Sequence, residues 1–407
     1  MQPRATFYIF IFLSLTLAQH LHAEELQENF LPTRAMGMGN AFTAVANDEN
    51  AAWSNPAGVA RARKHRTRNF FLGRFPNVGL GVNNKTKSFY QAHSGNESTS
   101  LADTVAETEG LDNDTPYYAN LQAFPVVLFD YARQSAGAFG LYINSNTSSV
   151  IETATPDQAR VRTVSDAGAL TTVSWTNRTN RLNLGLQFRY IKRYAFEDNI
   201  PTEELKDKAA IQSRISDSSN QTQGLGVDFG MMFTFADFWF PTLGVSVLNL
   251  PTGCKEDYLN PHTQKRETVC GTTYQGQIND SEALSVIDPM DIRVGISIMP
   301  RVGRKLALRF ALDAHHIYVP VGETTYGLSG IEPQKMLHAG VELVTGNPLK
   351  QSPFTARVGM NQGLLTAGAS IQIPYFAIDF ATYGVDISST SSQVEDRRYV
   401  TTITGLF

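Results

Sequence analysis

The side chains with most chemical potential in this chain are ionisable groups set into alternating segments. Residues 182–190 place Leu182, Leu184, Leu186, Phe188 and Tyr190 on one face, and Asn183, Gly185, Gln187 and Arg189 on the other, because a strand sends successive side chains to opposite sides. The same pattern puts Arg293 opposite Ile292 and Val294, Arg309 opposite Leu308 and Phe310, Glu342 opposite Val341 and Leu343, and Arg357 opposite Val358. Charges that recur on the small and polar face have two uses. They line a pore as a selectivity surface, or they pair with Glu342, Asp228, Asp313 and Asp379 to satisfy buried charge. Catalysis is not among the readings. His315 and His316 are sequence neighbours and so point apart on a strand, which disfavours two-point metal binding. There is no Gly-x-Ser-x-Gly, Cys-x-x-Cys, His-Glu-x-x-His or Walker-type loop, and so no enzyme, metal centre or cofactor is implied.

The elements that must hold these residues are many antiparallel strands. From about residue 67 the chain is organised with period two, and short turns such as 299–304 and Asn361-Gln362-Gly363 join neighbouring runs. Longer polar insertions fall near 91–116, 145–167, 199–221, 251–288 and 314–335. Alternating short and long connections fit a barrel with one rim on each side of a membrane. A two-sheet sandwich is the competing fold, but it places charge on a solvent face and its bulky residues against a second sheet. The expected fold is all-β: a transmembrane antiparallel barrel of about 14 strands.

Composition agrees. Lys and Arg number 34 against 38 Asp and Glu, and charged residues make up 18% of the chain. That balance argues against a nucleic-acid partner and suits a surface in contact with lipid. No internal stretch reaches the ~18 consecutive apolar residues of a spanning helix. Residues 1–23 have the form of an export signal, with Arg4 before an apolar run and Leu21-His22-Ala23 as a cleavage site. In an oxidising compartment Cys254 and Cys270 are expected to form a disulfide across a polar loop, contributing about 3 kcal/mol by restricting the unfolded chain. The alternative is metal binding, for which only His262 lies nearby.

Residues 24–66 do not alternate. Residues 40–46 suggest a short helix capped by Asn40, Pro56 stops regular structure, and Gly58 offers a positive-φ corner. This compact piece with small residues is a candidate plug for a barrel mouth. Residues 202–211 have the pattern of an amphipathic helix in an external loop, capped by Thr202.

The stretch Ala35-Met36-Gly37-Met38-Gly39-Asn40-Ala41-Phe42-Thr43-Ala44, followed by Asn55-Pro56-Ala57-Gly58, resembles the N-terminal signature of the FadL-like outer-membrane proteins. That superfamily includes fatty-acid and aromatic-hydrocarbon transporters and PorV-type secretion barrels, and the chain as a whole looks most like the TraF-like and PorV-like members. The resemblance implies a small helical hatch, residues 24–66, inside a barrel formed by residues 67–407. Gly37, Gly39, Ala41 and Ala44 would be the close-packed hatch residues, and Asn55, Pro56 and Gly58 the turn that seats it. It implies transport of a small hydrophobic solute in the outer membrane, the ligand leaving sideways through a kink in the wall. The alternative is a structural or adaptor barrel that docks an exported or surface protein. The loops, rich in Ser, Thr, Asn and Asp, lack a long apolar insertion to collect fatty acids. Resemblance to outer-membrane barrels in general makes Tyr399, Ile403 and Phe407 the signal read by the insertion machinery, with membrane lipid and lipopolysaccharide as further partners.

Overall fold

A computed structural model describes residues 30–62, 71–93, 116–151, 158–201, 204, 213–215, 217–263, 265–278, 286–303, 305–322, 324–346, 352–387 and 394–407. The export signal proposed for residues 1–23 lies outside them, as does the helix expected over 202–211 except for residue 204.

Period-two patterning becomes strands throughout the described barrel. In chain order these are β1 (Phe71–Asn83), β2 (Tyr117–Ala123), β3 (Val126–Ala132), β4 (Ser135–Ile151), β5 (Gln158–Thr176), β6 (Leu182–Pro201), β7 (Asn220–Thr234) and β8 (Thr242–Leu248). There follow β9 (Gly253–Leu259), β10 (Arg266–Gln277), β11 (Ile287–Pro289), β12 (Asp291–Ile298), β13 (Leu306–Ile317), β14 (Val319–Val321) and β15 (Thr324–Tyr326). The last are β16 (Leu337–Thr345), β17 (Phe354–Asn361), β18 (Leu364–Gln372), β19 (Phe376–Asp386) and β20 (Glu395–Leu406). Strands β2 and β3 are halves of one stave, since both pair with β1 on one side and β4 on the other. With β1, β4–β8, β12, β13 and β16–β20 they make a 14-stave antiparallel barrel, closed where Val78 of β1 meets Ile403 of β20.

Closure removes every edge, which a sheet lying in hydrocarbon needs because lipid offers its backbone groups no partner. The side chains are arranged inside out relative to a soluble protein. Phe188 is 48% exposed and Val358 59%, while Arg189 on the opposite face of β6 is 4% exposed and Glu342 is fully buried. The bulky face therefore contacts lipid, and the charged face encloses the lumen. Gln362 (φ 54°) and Gly363 (φ 81°) turn tightly from β17 into β18; left-handed backbone at both central residues matches the twist of a hairpin.

Three polar insertions expected as connections contain strands: 145–167 falls largely within β4 and β5, and 251–288 and 314–335 together supply a small sheet. Residues 253–277 form the β9–β10 hairpin, which with β11, β14 and β15 builds a small sheet at the long-loop end. Cys254 and Cys270 lie opposite each other in this hairpin and form a disulfide, so the cysteines belong to strands rather than to an irregular loop. Alternation is weak there because the sheet lacks an apolar side facing lipid.

Residues 30–62 sit inside the barrel. They form helices Thr33–Gly37, Ala51–Ser54 and Val59–Ala62 and a 3-10 turn at Pro56–Gly58. The helix expected over residues 40–46 does not form. Gly39 (φ 65°) and Asn40 (φ 63°) are both left-handed, and only a single turn follows, closed by Val45 and Ala46 N–H groups donating to the Phe42 carbonyl. Tertiary contact dictates this: a Cβ on Gly39 would stand 2.4 Å from the carbonyl oxygens of Ala339 and Met360. Gly58 likewise corrects expectation. It is not a positive-φ corner but part of the 3-10 turn, and its bare Cα is needed because a Cβ would meet Ala46 O at 2.6 Å.

Gly359 of β17 faces the same contact, a Cβ there lying 2.5 Å from Gly39 N. Gly359→Val is expected to unseat residues 30–62 from the wall at a cost of ~1–3 kcal/mol. Limited proteolysis would then cut the N-terminal segment faster, while heat-modifiable gel mobility would still report a closed barrel.

Candidate functional site in the barrel lumen

Small residues on the wall let the backbone of residues 30–62, the segment expected to serve as a hatch, approach it directly. Gly185 of β6 and Gly230 of β7 face the Asn55-Pro56-Ala57 turn, Gly244 of β8 faces Thr43 and Ala44, Gly340 of β16 faces Met38, and Gly368 of β18 faces Gly37. Asn55 is the keystone of this seat. Fully buried, it donates from Nδ2 to Thr43 O (2.8 Å), Met231 O (3.2 Å) and Val245 O (3.3 Å), while its Oδ1 accepts from Ala57 N. Elsewhere the seat is polar too: Thr43 N donates to Asp313 Oδ2 (2.7 Å), Ser297 Oγ to Ala44 O (3.1 Å), and His338 Nδ1 lies 3.0 Å from Gly39 O.

The five charged residues assigned to the lumen from sequence all point inward, but they form two groups. Glu342 centres the first, holding Arg309 of β13 (2.5 Å), Arg357 of β17 (2.9 Å) and, from the hatch, Arg34 through two bonds of 3.0 Å each. Arg34 also reaches Asp48 at 2.5 Å, so this arginine ties the hatch to itself and to the wall. In the second group, nearer the long-loop end, Arg189 grips Asp228 (2.7 and 2.9 Å), and Arg293 pairs with Asp291 (2.6 Å). Arg193, not singled out from sequence, bridges Asp166 (2.7 Å) and Asp288 (2.6 Å) and stacks over the Tyr274 ring. Every one of these cations is spent on a carboxylate, so the lining is polar but charge-matched.

Between the groups lies an aromatic cluster. Trp53 stacks on Phe30 (centroids 4.5 Å apart) and meets Phe124 (5.3 Å) and Tyr142 (4.9 Å) edge-on. Phe124 precedes Pro125, which separates β2 from β3. On the neighbouring stave Phe75-Pro76 interrupts β1, whose register against β20 shifts between Arg74 and Asn77. Pro76 and Pro125 can donate no ladder bond, so the wall is thinned where the cluster touches it; Phe124 N to Asn77 O (2.8 Å) is the bond that spans the gap. The hatch divides the lumen. A cavity of about 150 Å³ on the long-loop side has Phe30 and Trp53 at its floor and the Arg189, Arg193 and Arg293 pairs in its wall. On the other side, about 250 Å³ opens among Arg34, Arg74, Arg309 and Arg357.

Of the residues named from sequence, Gly37, Gly39, Ala41, Ala44, Asn55, Pro56 and Gly58 lie in the hatch, with Ala41 and Ala44 buried. Tyr399 and Ile403 lie on β20, and Phe407 just beyond it exchanges backbone hydrogen bonds with Gly73. Sequence reasoning missed Arg34, Arg193, the Phe30–Trp53–Phe124 cluster and the wall interruption. Two signals were there to be read: glycines recurring on the polar face of strands, and Pro76 and Pro125 inside alternating runs. The aromatic cluster carried no local signal, since its members are far apart in sequence.

Glu342→Gln would leave Arg34, Arg309 and Arg357 without their shared charge, a loss of about 3–5 kcal/mol for an unpaired buried ion. Urea unfolding of the refolded protein should show the lower stability, and hydrogen exchange should increase first in residues 33–48. At the long-loop cavity, burial and then nearby Lys335 lower His262 to about 4. A lowered histidine pKa means that the unfolded chain binds the extra proton first. The β9–β10 hairpin beside it should therefore lose stability as pH falls from 6.5 toward 4, and His262→Gln should flatten that dependence in amide exchange.

No protein-family model and no curated protein matches the sequence. Solved structures do. A deletion mutant (deltaS2S3) of the monoaromatic hydrocarbon channel TodX superposes with a TM-score of 0.53 at 8% identity, covering 92% of this chain and 98% of that one. The Ralstonia pickettii toluene transporter TbuX gives 0.50 at 12% identity, covering 93% and 98%, and the deltaS2 mutant of TodX gives 0.50 at 11%, covering 92% and 97%. At these identities the likeness concerns the fold alone, here a 14-stave wall closed around an N-terminal segment.

Proposed function

We propose that the chain is an outer-membrane channel for small hydrophobic solutes, with residues 24–66 as its hatch. The observation that carries this reading is the aromatic cluster on the hatch abutting the proline-interrupted wall at Phe75-Pro76 and Phe124-Pro125. A solute entering the long-loop cavity meets Phe30 and Trp53 first, and beside them the thinnest part of the barrel. Small displacements of the cluster would connect that cavity to lipid. The fold shared with hydrocarbon channels supports it, and the size of the cavity favours solutes of about one aromatic ring, a volume of the kind known to accept benzene. The hatch is needed because about eight strands already suffice for side chains to fill a barrel, and a wider one left empty admits water.

A second reading is an adaptor barrel of the PorV-like or TraF-like kind, favoured by the disulfide-stapled sheet of β9–β11, β14 and β15 above the mouth. A stable partner lost on trimming residues 251–288 would support it.

The two readings separate on flux. Restoring backbone donors with Pro76→Val and Pro125→Val together should knit the wall and reduce toluene uptake into proteoliposomes about tenfold, the effect of ~1.4 kcal/mol on a barrier. Uptake indistinguishable from protein-free vesicles in both the wild type and the double variant would leave the adaptor reading standing.

A further inference from the structure

Seven arginines of the described residues are buried, and each has a carboxylate partner. Arg74 pairs with Glu49, Arg189 with Asp228, Arg193 with Asp166, Arg293 with Asp291 and Arg398 with Asp396, while Arg309 and Arg357 share Glu342. Arg61, half-buried, departs from this pattern. It belongs to the hatch helix Val59–Ala62, and its guanidinium donates to the Thr234 hydroxyl but pairs with no acid of the described residues. The charged group that acts on it is another cation, Arg309, and burial together with Arg309 lowers its pKa to about 10.

Arg61 and Arg309 face one cavity of about 170 Å³ at the short-connection end, lined also by the Thr234 and Thr242 hydroxyls. Its carboxylate is Asp237, whose side chain is 83% exposed and pairs with Arg181 at 3.3 Å. Three cations line this cavity beside the hydroxyls; Arg309 is already matched by Glu342 and Arg181 by Asp237, so Arg61 carries the one charge in the described lining that no carboxylate answers. Guanidinium groups bind planar or tetrahedral oxyanions through paired N–H donors.

We propose that this cavity binds a small oxyanion, a carboxylate or a phosphate, held between Arg61 of the hatch and Arg309 of the wall. The anion bridges hatch to barrel and offsets the repulsion between the two guanidinium groups, so its binding tightens the seat of the hatch. The site is independent of which solute crosses the barrel.

The test uses the refolded full chain in detergent at constant ionic strength, with inorganic phosphate, acetate or benzoate against chloride. The expected result is a concentration-dependent rise in thermal midpoint with an oxyanion but not with chloride, because a ligand that binds only the folded state stabilises it. R61Q should abolish the rise while retaining heat-modifiable mobility. R61E, which supplies the missing charge opposite Arg309, should raise the midpoint in oxyanion-free buffer and make it insensitive to added anion. A merely structural Arg61 predicts the opposite for R61E, a loss of stability. A rise with phosphate alone would point to a phosphate source and a rise with acetate and benzoate to a carboxylate solute; either supports the site. No response beyond chloride, an equal response in R61Q, or a lower midpoint for R61E would overturn it.

Discussion

Hydrocarbon offers a backbone no hydrogen-bond partner, and most of this structure follows from that constraint. The sheet must close, so β1 pairs with β20, and the first stave has partners on both sides. Once closed at 14 staves, it encloses more space than wall side chains can fill. The remaining space is occupied by the chain's own residues 30–62. Being backbone-rich and irregular, that segment needs hydrogen-bond partners inside a lumen with little water, and the wall supplies them through Asp313, His338, Ser297 and the carbonyls of Met231 and Val245. A polar lumen and a glycine-rich inner face are thus two answers to the same need.

The distribution of charge follows the same logic. A guanidinium buried without a partner is costly, and the buried lumen arginines are matched to carboxylates on adjacent staves, on their own strand or on the inner segment. Register creates these matches. Arg309 on β13 stands directly across from Glu342 on β16, and Glu342 across from Arg357 on β17. One-residue slippage would point all three at lipid, so the triad fixes register as well as neutralising charge. Arg34 extends it into the hatch, and this makes the hatch a component of the wall's electrostatics. Arg61 is the exception that shows how complete the matching is elsewhere.

Much of this architecture is legible in the order of the amino acids. The alternation of Leu186 and Phe188 with Gln187 and Arg189 specifies strand, lipid face and lumen face together, because period two leaves no freedom once one face is assigned. The segment from Ala35 to Gly58 that enters the lumen is visible as small residues and a proline outside any alternating run. The local conformation of residues 40–46 is not. Their composition suits a helix, but the close approach of Ala339 and Met360 to Gly39 forces two left-handed residues in succession and leaves only a turn. Similarly, residues 253–277 lack alternation because their sheet has no lipid face, and so they resemble loop.

By itself the sequence determined that the alternating runs form strands, which of their faces is apolar, and that Arg189, Arg293, Arg309, Glu342 and Arg357 share the other face; these depend on spacing along the chain. Tertiary structure alone decided which carboxylate each arginine takes, that Phe30, Trp53, Phe124 and Tyr142 converge, and that Pro76 and Pro125 thin the wall at the same level. Those outcomes depend on barrel closure and strand register, which bring residues hundreds of positions apart into contact and leave no periodic trace in the chain.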